Sequence, residues 1–241
     1  MTSVGGDELR VDEIDRASVD HVLTTTRAVR QRLDLEREVP LQIIQECLEI
    51  ALQAPTGFNL QNWRWLVVTD PEKRAAIAEV YRQMLVPFLE VMEQEPGEVD
   101  PTTRRVARSS WYLAEHLHEV PVHVIPCTVL QVNDDYCLFR QLGFDTDLIN
   151  MSASGVFGEV WSAGWSFMLA LRSRGLGSSM TTIHLGGESE VAQLLGIPEG
   201  VSQAGLIPVG WFRGDDFKPA NRHPLHEVAF YENWGNSKPA R

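Results

Sequence analysis

Between Leu41 and Leu52 the apolar residues Leu41, Ile44, Cys47, Leu48, Ala51 and Leu52 recur at the spacing of one helical face. Pro40 suits the start of that helix, because its missing N–H costs nothing at a first-turn position, and Pro55 is expected to end it. The period then changes. WRWLVVT (63–69) is rich in aromatic and β-branched residues and predicts a strand. Asp70 and Pro71 supply the cap and first turn of a helix expected to run to about Met92, with Pro87 kinking it or ending it early. Arg104 to Glu119 places Val106, Ser110, Leu113 and Leu117 on one helical face. VHVIPCTVL (122–130) predicts a buried strand whose Pro126 calls for an edge position or a bulge. From Gly158 to Arg174 an apolar helix is predicted, with Val160, Gly164, Phe167 and Leu171 on a common stripe and Gly175 closing it. SSMTTIHL (178–185) predicts a strand, SEVAQLLG (189–196) a short helix and AGLIPVGWF (204–212) a last strand. Residues 1 to about 20 read as a polar tail, and 131–155 as a long segment without period. After Gly210 turn formers dominate, around two isolated cations, Arg213 and Arg222. Helices and strands alternate imperfectly, which predicts an α+β class with helices packed on a mixed central sheet, in a single domain over 21–241.

Composition adds mostly exclusions. The chain has 241 residues, 44% hydrophobic and 22% charged, enough for a sizeable core. A net charge of -12 opposes nucleic acid unless a local basic patch overcomes it, and the densest basic cluster, TRRVAR (103–108), reads as a solvated helix face. The three cysteines, Cys47, Cys127 and Cys137, are widely spaced without a CxxC, which suggests neither a disulfide framework nor a zinc site and fits a reducing cytoplasm. The N-terminus lacks the apolar core of a signal peptide, and no apolar run approaches the roughly 20 residues of a membrane helix. Neither GxGxxG nor GxxxxGK[ST] nor GxSxG occurs. His116 and His118, two apart on a helix, face different ways and read as ordinary surface or capping residues. Trp161 and Trp165, four apart, read as packing.

Two stretches carry chemistry. In TTTRAVRQRLD, Arg27 and Arg30 are close enough to offer two planar forks to a phosphate, or else to form a solvated basic face. In APTGFNLQNW, Thr56, Asn59 and Gln61 supply polar groups and Gly57 lets the backbone approach a ligand, a set that suits a heterocycle edge or a polar turn. Taken in order, RAVR, APTGFNLQNW, RGLGSSMTT and RHPLHEV resemble the nitroreductase family of flavin enzymes, over about Thr24 to Val228. The second motif is the specific one. The likeness is greatest to an actinobacterial branch that begins TTTR. The chain departs from the family pattern at Thr26, where a cation is common, at Ala28, where Ser is usual, and at Asn62, where Pro precedes Trp63.

The resemblance implies an FMN-dependent NAD(P)H oxidoreductase with a nitroreductase-like fold and an intertwined homodimer whose C-terminal extension wraps the partner. Arg27 and Arg222 would bind the FMN phosphate, beside Ala28, and Arg30 would lie near the pyrimidine edge of the flavin. Pro55, Thr56, Gly57 and Asn59 would contact the isoalloxazine, with Trp63 and Trp65 anchoring their loop. Ser178, Thr181, Thr182 and Ile183 would line the ring from an inner strand. Phe58, Phe139 and Trp165 would face the substrate. NADPH or NADH would donate hydride, and a nitroaromatic or quinone would replace it in the same cleft, by a ping-pong scheme with no side-chain proton donor. Ene reduction, reductive dehalogenation, flavin breakdown and non-catalytic flavin binding are the alternatives on the same fold.

Overall fold

A computed structural model describes residues 14–94, 101–130, 132, 143 and 149–237. The chain divides into two compact units, one made of 1–26 with 216–241 and the other of 27–215.

The larger unit is built on a six-stranded sheet: β1 (Leu33–Asp34), β2 (Trp63–Val68), β3 (Val122–Thr128), β4 (Leu176–Ser178), β5 (Ser202–Gln203) and β6 (Ile207–Phe212). Its order is β1-β6-β3-β2, with β4 on β6 and β5 on β3. Every one of these pairings is antiparallel, so the expectation of a mixed sheet is corrected; the parallel contact is an isolated bridge between Ala28 and Ser178. Two helices separate β2 from β3, so the chain re-enters the sheet at the end where β2 left it. A single crossover helix would have made the pair parallel.

Among the described residues this unit also holds the helices α2 (Leu41–Ala51), α3 (Pro71–Gln94), α4 (Pro101–His116) and α5 (Ile149–Ser173), followed by the shorter α6 (Glu188–Leu195). α2 begins just after Pro40 and stops at Ala51, one turn before Pro55. α3 begins as expected, with Asp70 Oδ1 accepting the Lys73 N–H at 2.9 Å. It runs through the exposed Pro87 rather than ending there. α5 starts nine residues earlier than Gly158, absorbing part of the stretch read as aperiodic. α2 and α5 pack on one another, and α5 packs on β3 and β4. The core they close contains Ile44, Cys47, Val122, Val124, Phe167, Leu171, Leu176, Ile207 and Val209. Burying each such side chain contributes about 1.5–3 kcal/mol. Arg74 stitches α3 to the turn before β3 by donating to the carbonyls of Val120 (2.6 Å), His118 (3.1 Å) and Thr69 (3.1 Å).

Pro126 does not lie on an edge. Its strand is flanked by β2 on one side, and on the other by β6 up to Val124 and by β5 from Cys127. The proline sits in the gap between those two ladders, where a missing donor interrupts neither. The strand expected over 178–185 is also corrected. β4 ends at Ser178, Thr181 makes one bridge to Leu206, and Ile183–Gly187 is a 3-10 turn. The turn brings Gly187 against α3 so closely that a Cβ there would lie 2.5 Å from a Val80 methyl.

The smaller unit holds α1 (Arg16–Thr25), which begins inside the stretch read as a tail, and α7 (Leu225–Val228). Asp15 caps α1 through the N–H groups of Ala17 and Ser18. Phe230 and Trp234 pack with tilted rings, their centroids 4.9 Å apart. Leu225 (70% exposed), Val228 (60%) and Trp234 (92%) present apolar surface. Among the described residues no helix is long and apolar enough to cross a membrane.

Candidate functional site

The RAVR segment is irregular rather than helical, and it is hooked onto the end of β4. The Val29 N–H donates to the Ser178 carbonyl at 2.8 Å, next to the Ala28–Ser178 bridge. Val29 is buried, and Gly177 has room for it only because it lacks a side chain: a Cβ there would meet Val29 atoms at 3.0 Å. Two predicted site segments far apart in sequence, Arg27–Arg30 and Ser178, are thus brought together. Arg32 diverges from them, donating from Nε to the Arg213 carbonyl at 2.7 Å and from Nη2 to the Asp215 carbonyl. Arg213 is not isolated; its Nη2 donates to Asp34 Oδ1 at 2.8 Å, which holds the Asp34 carboxyl below its usual range.

Arg30 is half-buried, and its buried Nε meets no acceptor. Burial lowers its proton affinity, and the Tyr81 hydroxyl of α3 opposes that effect electrostatically. Tyr81 is 2% exposed, shares a hydrogen bond with the Thr181 hydroxyl, and has its own pKa raised, chiefly by burial. Tyr81 therefore links Arg30 to the third predicted segment. Thr181 is fixed by exchanging backbone hydrogen bonds with Leu206 (3.0 and 2.8 Å). Thr182 is exposed, and Ile183 is half-buried in the 3-10 turn instead of on an inner strand. The Ser179 hydroxyl is buried and, like Arg30 Nε, has no partner. Two orphaned donors next to Ser178 and the RAVR segment fit a ligand rich in carbonyl or phosphoryl oxygens, since a buried unpaired donor is costly unless something fills it.

The APTGFNLQNW loop is a short 3-10 turn with unusual dihedrals. Phe58 (φ 50°), Asn59 (φ 55°) and Gln61 (φ 51°) all occupy the left-handed region. Asn tolerates it, but for Phe such a conformation costs on the order of 1–3 kcal/mol. Phe58 is 99% exposed. Pro55 and Asn59 are exposed and Thr56 is half-buried. The two amides are partly spent on each other, since Gln61 Nε2 donates to Asn59 Oδ1 at 3.1 Å. Trp63 is 6% exposed and ties the loop to the core with Ala54 and Trp65 packed around it.

Helix α5 contributes what the sequence reading did not single out. Glu159 Oε1 accepts the Gly57 N–H at 2.7 Å, and a Cβ at Gly57 would come within 2.9 Å of that oxygen. The closeness expected of Gly57 toward a ligand is thus met, on this face, by a carboxylate of the chain itself. Trp161 packs in the same cluster as Ala54 and lies so near Gly205 that a Cβ there would sit 2.5 Å from its ring and 3.0 Å from the Thr181 carbonyl. The signal for Glu159 was present, because it is the one acidic residue in the 25-residue helix. Tyr81 carried no such mark.

The remaining predicted residues are less constrained. Trp165 is 41% exposed on α5. Phe139 and Cys137 lie outside the described residues. Arg222, in the smaller unit, is exposed and donates to the Asn221 carbonyl at 3.1 Å. Cys47 and Cys127 are buried free thiols, pushed by burial up to about 11 and about 12. Among the described residues no group of three or more His, Cys, Asp or Glu could hold a metal.

Comparison with known proteins agrees with this layout. A protein of Thermus thermophilus named NADH dehydrogenase is 28% identical over 221 residues, covering 87% of this chain and 97% of that protein. The iodotyrosine deiodinase of Thermotoga neapolitana is 28% identical over 189 residues, 78% of this chain and 84% of its own. A crystal structure of oxidized iodotyrosine deiodinase bound to FMN and 3-iodo-L-tyrosine superimposes with a TM-score of 0.61 at 22% identity, covering 88% of this chain and 97% of the other. The model of the Nitroreductase family matches residues 23–211, which takes in the RAVR segment, the loop, β4 and the Thr181 turn. The chain belongs to the Nitroreductase family, and its fold is the nitroreductase-like one.

Proposed function

We propose that the protein is an FMN-dependent oxidoreductase that passes hydride from NADH or NADPH to a small electron-poor acceptor, a quinone or nitroaromatic. The observation that carries this reading is the hook between the RAVR segment and β4, with the unpartnered donors Arg30 Nε and Ser179 Oγ beside it. When bound, FMN supplies two-electron redox chemistry between a nicotinamide and an acceptor.

The chain's own residues bind and orient. Arg27 is read as a phosphate ligand, and Ala28 leaves that work to the cation and the backbone. Among the described residues the group acting electrostatically on Arg30 is the Tyr81 hydroxyl and not a carboxylate, so its positive charge favours negative charge developing on a nearby ring. The 55–59 loop, with Ser178, Thr181, Thr182 and Ile183, is read as the lining of the ring. Phe58 and Trp165 offer exposed aromatic surface to an acceptor. No acid or base is assigned, since hydride transfer rests on positioning.

Steady-state kinetics test the scheme. With NAD(P)H and a quinone sharing one cleft in turn, double-reciprocal plots are expected to be parallel; converging lines would contradict it. Likeness to iodotyrosine deiodinases favours reductive dehalogenation as the second reading. An acceptor panel containing a halogenated tyrosine separates the two: halide release faster than quinone reduction would replace the first reading with the second.

A further inference from the structure

We infer that Glu159 is a positioning residue that clamps the Gly57–Gln61 loop in its left-handed conformation. The functional side of this inference rests on reading that loop as the flavin-facing one.

The loop's other hydrogen bonds are internal except for a long one at its far end, where Arg64 Nη1 of β2 donates to the Gln61 carbonyl at 3.4 Å. The Asn59 N–H donates to the Thr56 carbonyl (3.2 Å), the Leu60 N–H to the Gly57 carbonyl (3.0 Å) and the Gln61 N–H to Thr56 Oγ1 (3.4 Å). Such bonds shape a turn but do not fix its place. The Gly57–Glu159 bond runs to α5, 102 residues away in sequence, and at 2.7 Å it is the shortest of the set. A carboxylate acceptor makes it charge-assisted, hence stronger than its neighbours. Strained dihedrals persist only where surrounding structure over-determines them, and here three of the four residues after Gly57 have positive φ. Glu159 itself is seated on a helix whose adjacent Val160 is 1% exposed and whose Trp161 is wedged against Gly205. The helix end of the bond is therefore held in place by packing. Gly57 is fitted to the same contact, because a methyl there would press on the accepting oxygen.

Hydrogen exchange of the backbone amides in 56–62, measured on the flavin-free protein, reads the clamp directly. Glu159→Ala is expected to speed exchange at least tenfold in that segment. Glu159→Gln, whose amide oxygen can accept the same N–H, is expected to stay within about threefold, in line with the lower worth of a neutral bond. Gly57→Ala is expected to act like Glu159→Ala by displacing the carboxylate, and to add nothing in the Glu159→Ala background. FMN affinity, titrated by flavin fluorescence, should fall about tenfold in Glu159→Ala and in Gly57→Ala, following the same charged hydrogen bond. Unchanged exchange in Glu159→Ala, or additive effects in the double variant, would overturn the clamp. If Glu159→Ala fails to fold, the Gln and Gly57→Ala proteins decide the matter, since a clamp requires them to differ. If the wild-type protein takes up no FMN, the flavin reading of the loop fails while the exchange comparison still judges the clamp.

Discussion

Arg30, proposed to lie near the flavin, is also a burden on folding. A half-buried guanidinium with an unpartnered Nε costs stability, because desolvation is not returned by a hydrogen bond. Replacing it with Met, of similar length and apolar, is expected to leave the flavin-free protein as stable as before or more so, by up to about 2 kcal/mol in urea unfolding. The same change is expected to weaken FMN binding at least tenfold. Loss of stability in the flavin-free protein would mean that Arg30 is a structural residue. Sequence alone marked the arginine as a candidate but did not give its setting. That a tyrosine 51 positions on would face it from α3, and bond to Thr181, depends on how α3 lies over the 3-10 turn, which no local pattern encodes. Glu159 differs, since an acid in an apolar helix is visible in the sequence, and only its partner required the fold.

Elements whose identity comes from their own period were legible: β2, the starts of α2 and α3, and the buried stripe of α5. Those that failed depend on neighbours. Ser178–Leu185 has the composition of a strand, but Gly186 and Gly187 admit side chains of α3, and the chain turns. This turn also carries His184, which with His123 of β3 forms a pair of fully buried histidines. His184 Nε2 meets Gln203 Oε1 at 3.2 Å and His123 Nε2 donates to the Leu117 carbonyl at 2.9 Å. Burial depresses both to about 4, with Arg74 and the second histidine adding to the effect on His123. A histidine kept neutral in the fold and titrating near 6.5 when unfolded stabilises the protein above that pH and loses its contribution as pH falls toward 4. Between pH 7 and pH 5 each is expected to cost roughly 2 kcal/mol of unfolding free energy, a loss that His123→Gln or His184→Gln should partly abolish. Asp15 and Asp34, with pKa values lowered from 3.8, act below that window. Equal stability at the two pH values would refute the buried pair.

At the scale of the whole molecule, the apolar surface of the smaller unit needs a cover. Leu225, Val228 and Trp234 are more than half exposed within 10 residues of one another, in a stretch the sequence reading assigned to a partner-wrapping extension. On the larger unit, Ile149, Met151 and Trp165 of α5 are also exposed. We propose that a second copy of the chain covers these surfaces and that FMN, binding the assembled form, stabilises the dimer by linkage. The motif order in the sequence was enough to name the family. Assembly is expected only from that resemblance, because exposed aromatic residues do not say what covers them.

Sedimentation velocity of the purified protein, read at 280 nm and in the flavin absorption band, tests the account most directly. It is expected to show one species of twice the chain mass carrying about one FMN per chain, as two-fold symmetry with one site per subunit requires. Colourless protein that takes up no added FMN, at any mass, would contradict the account.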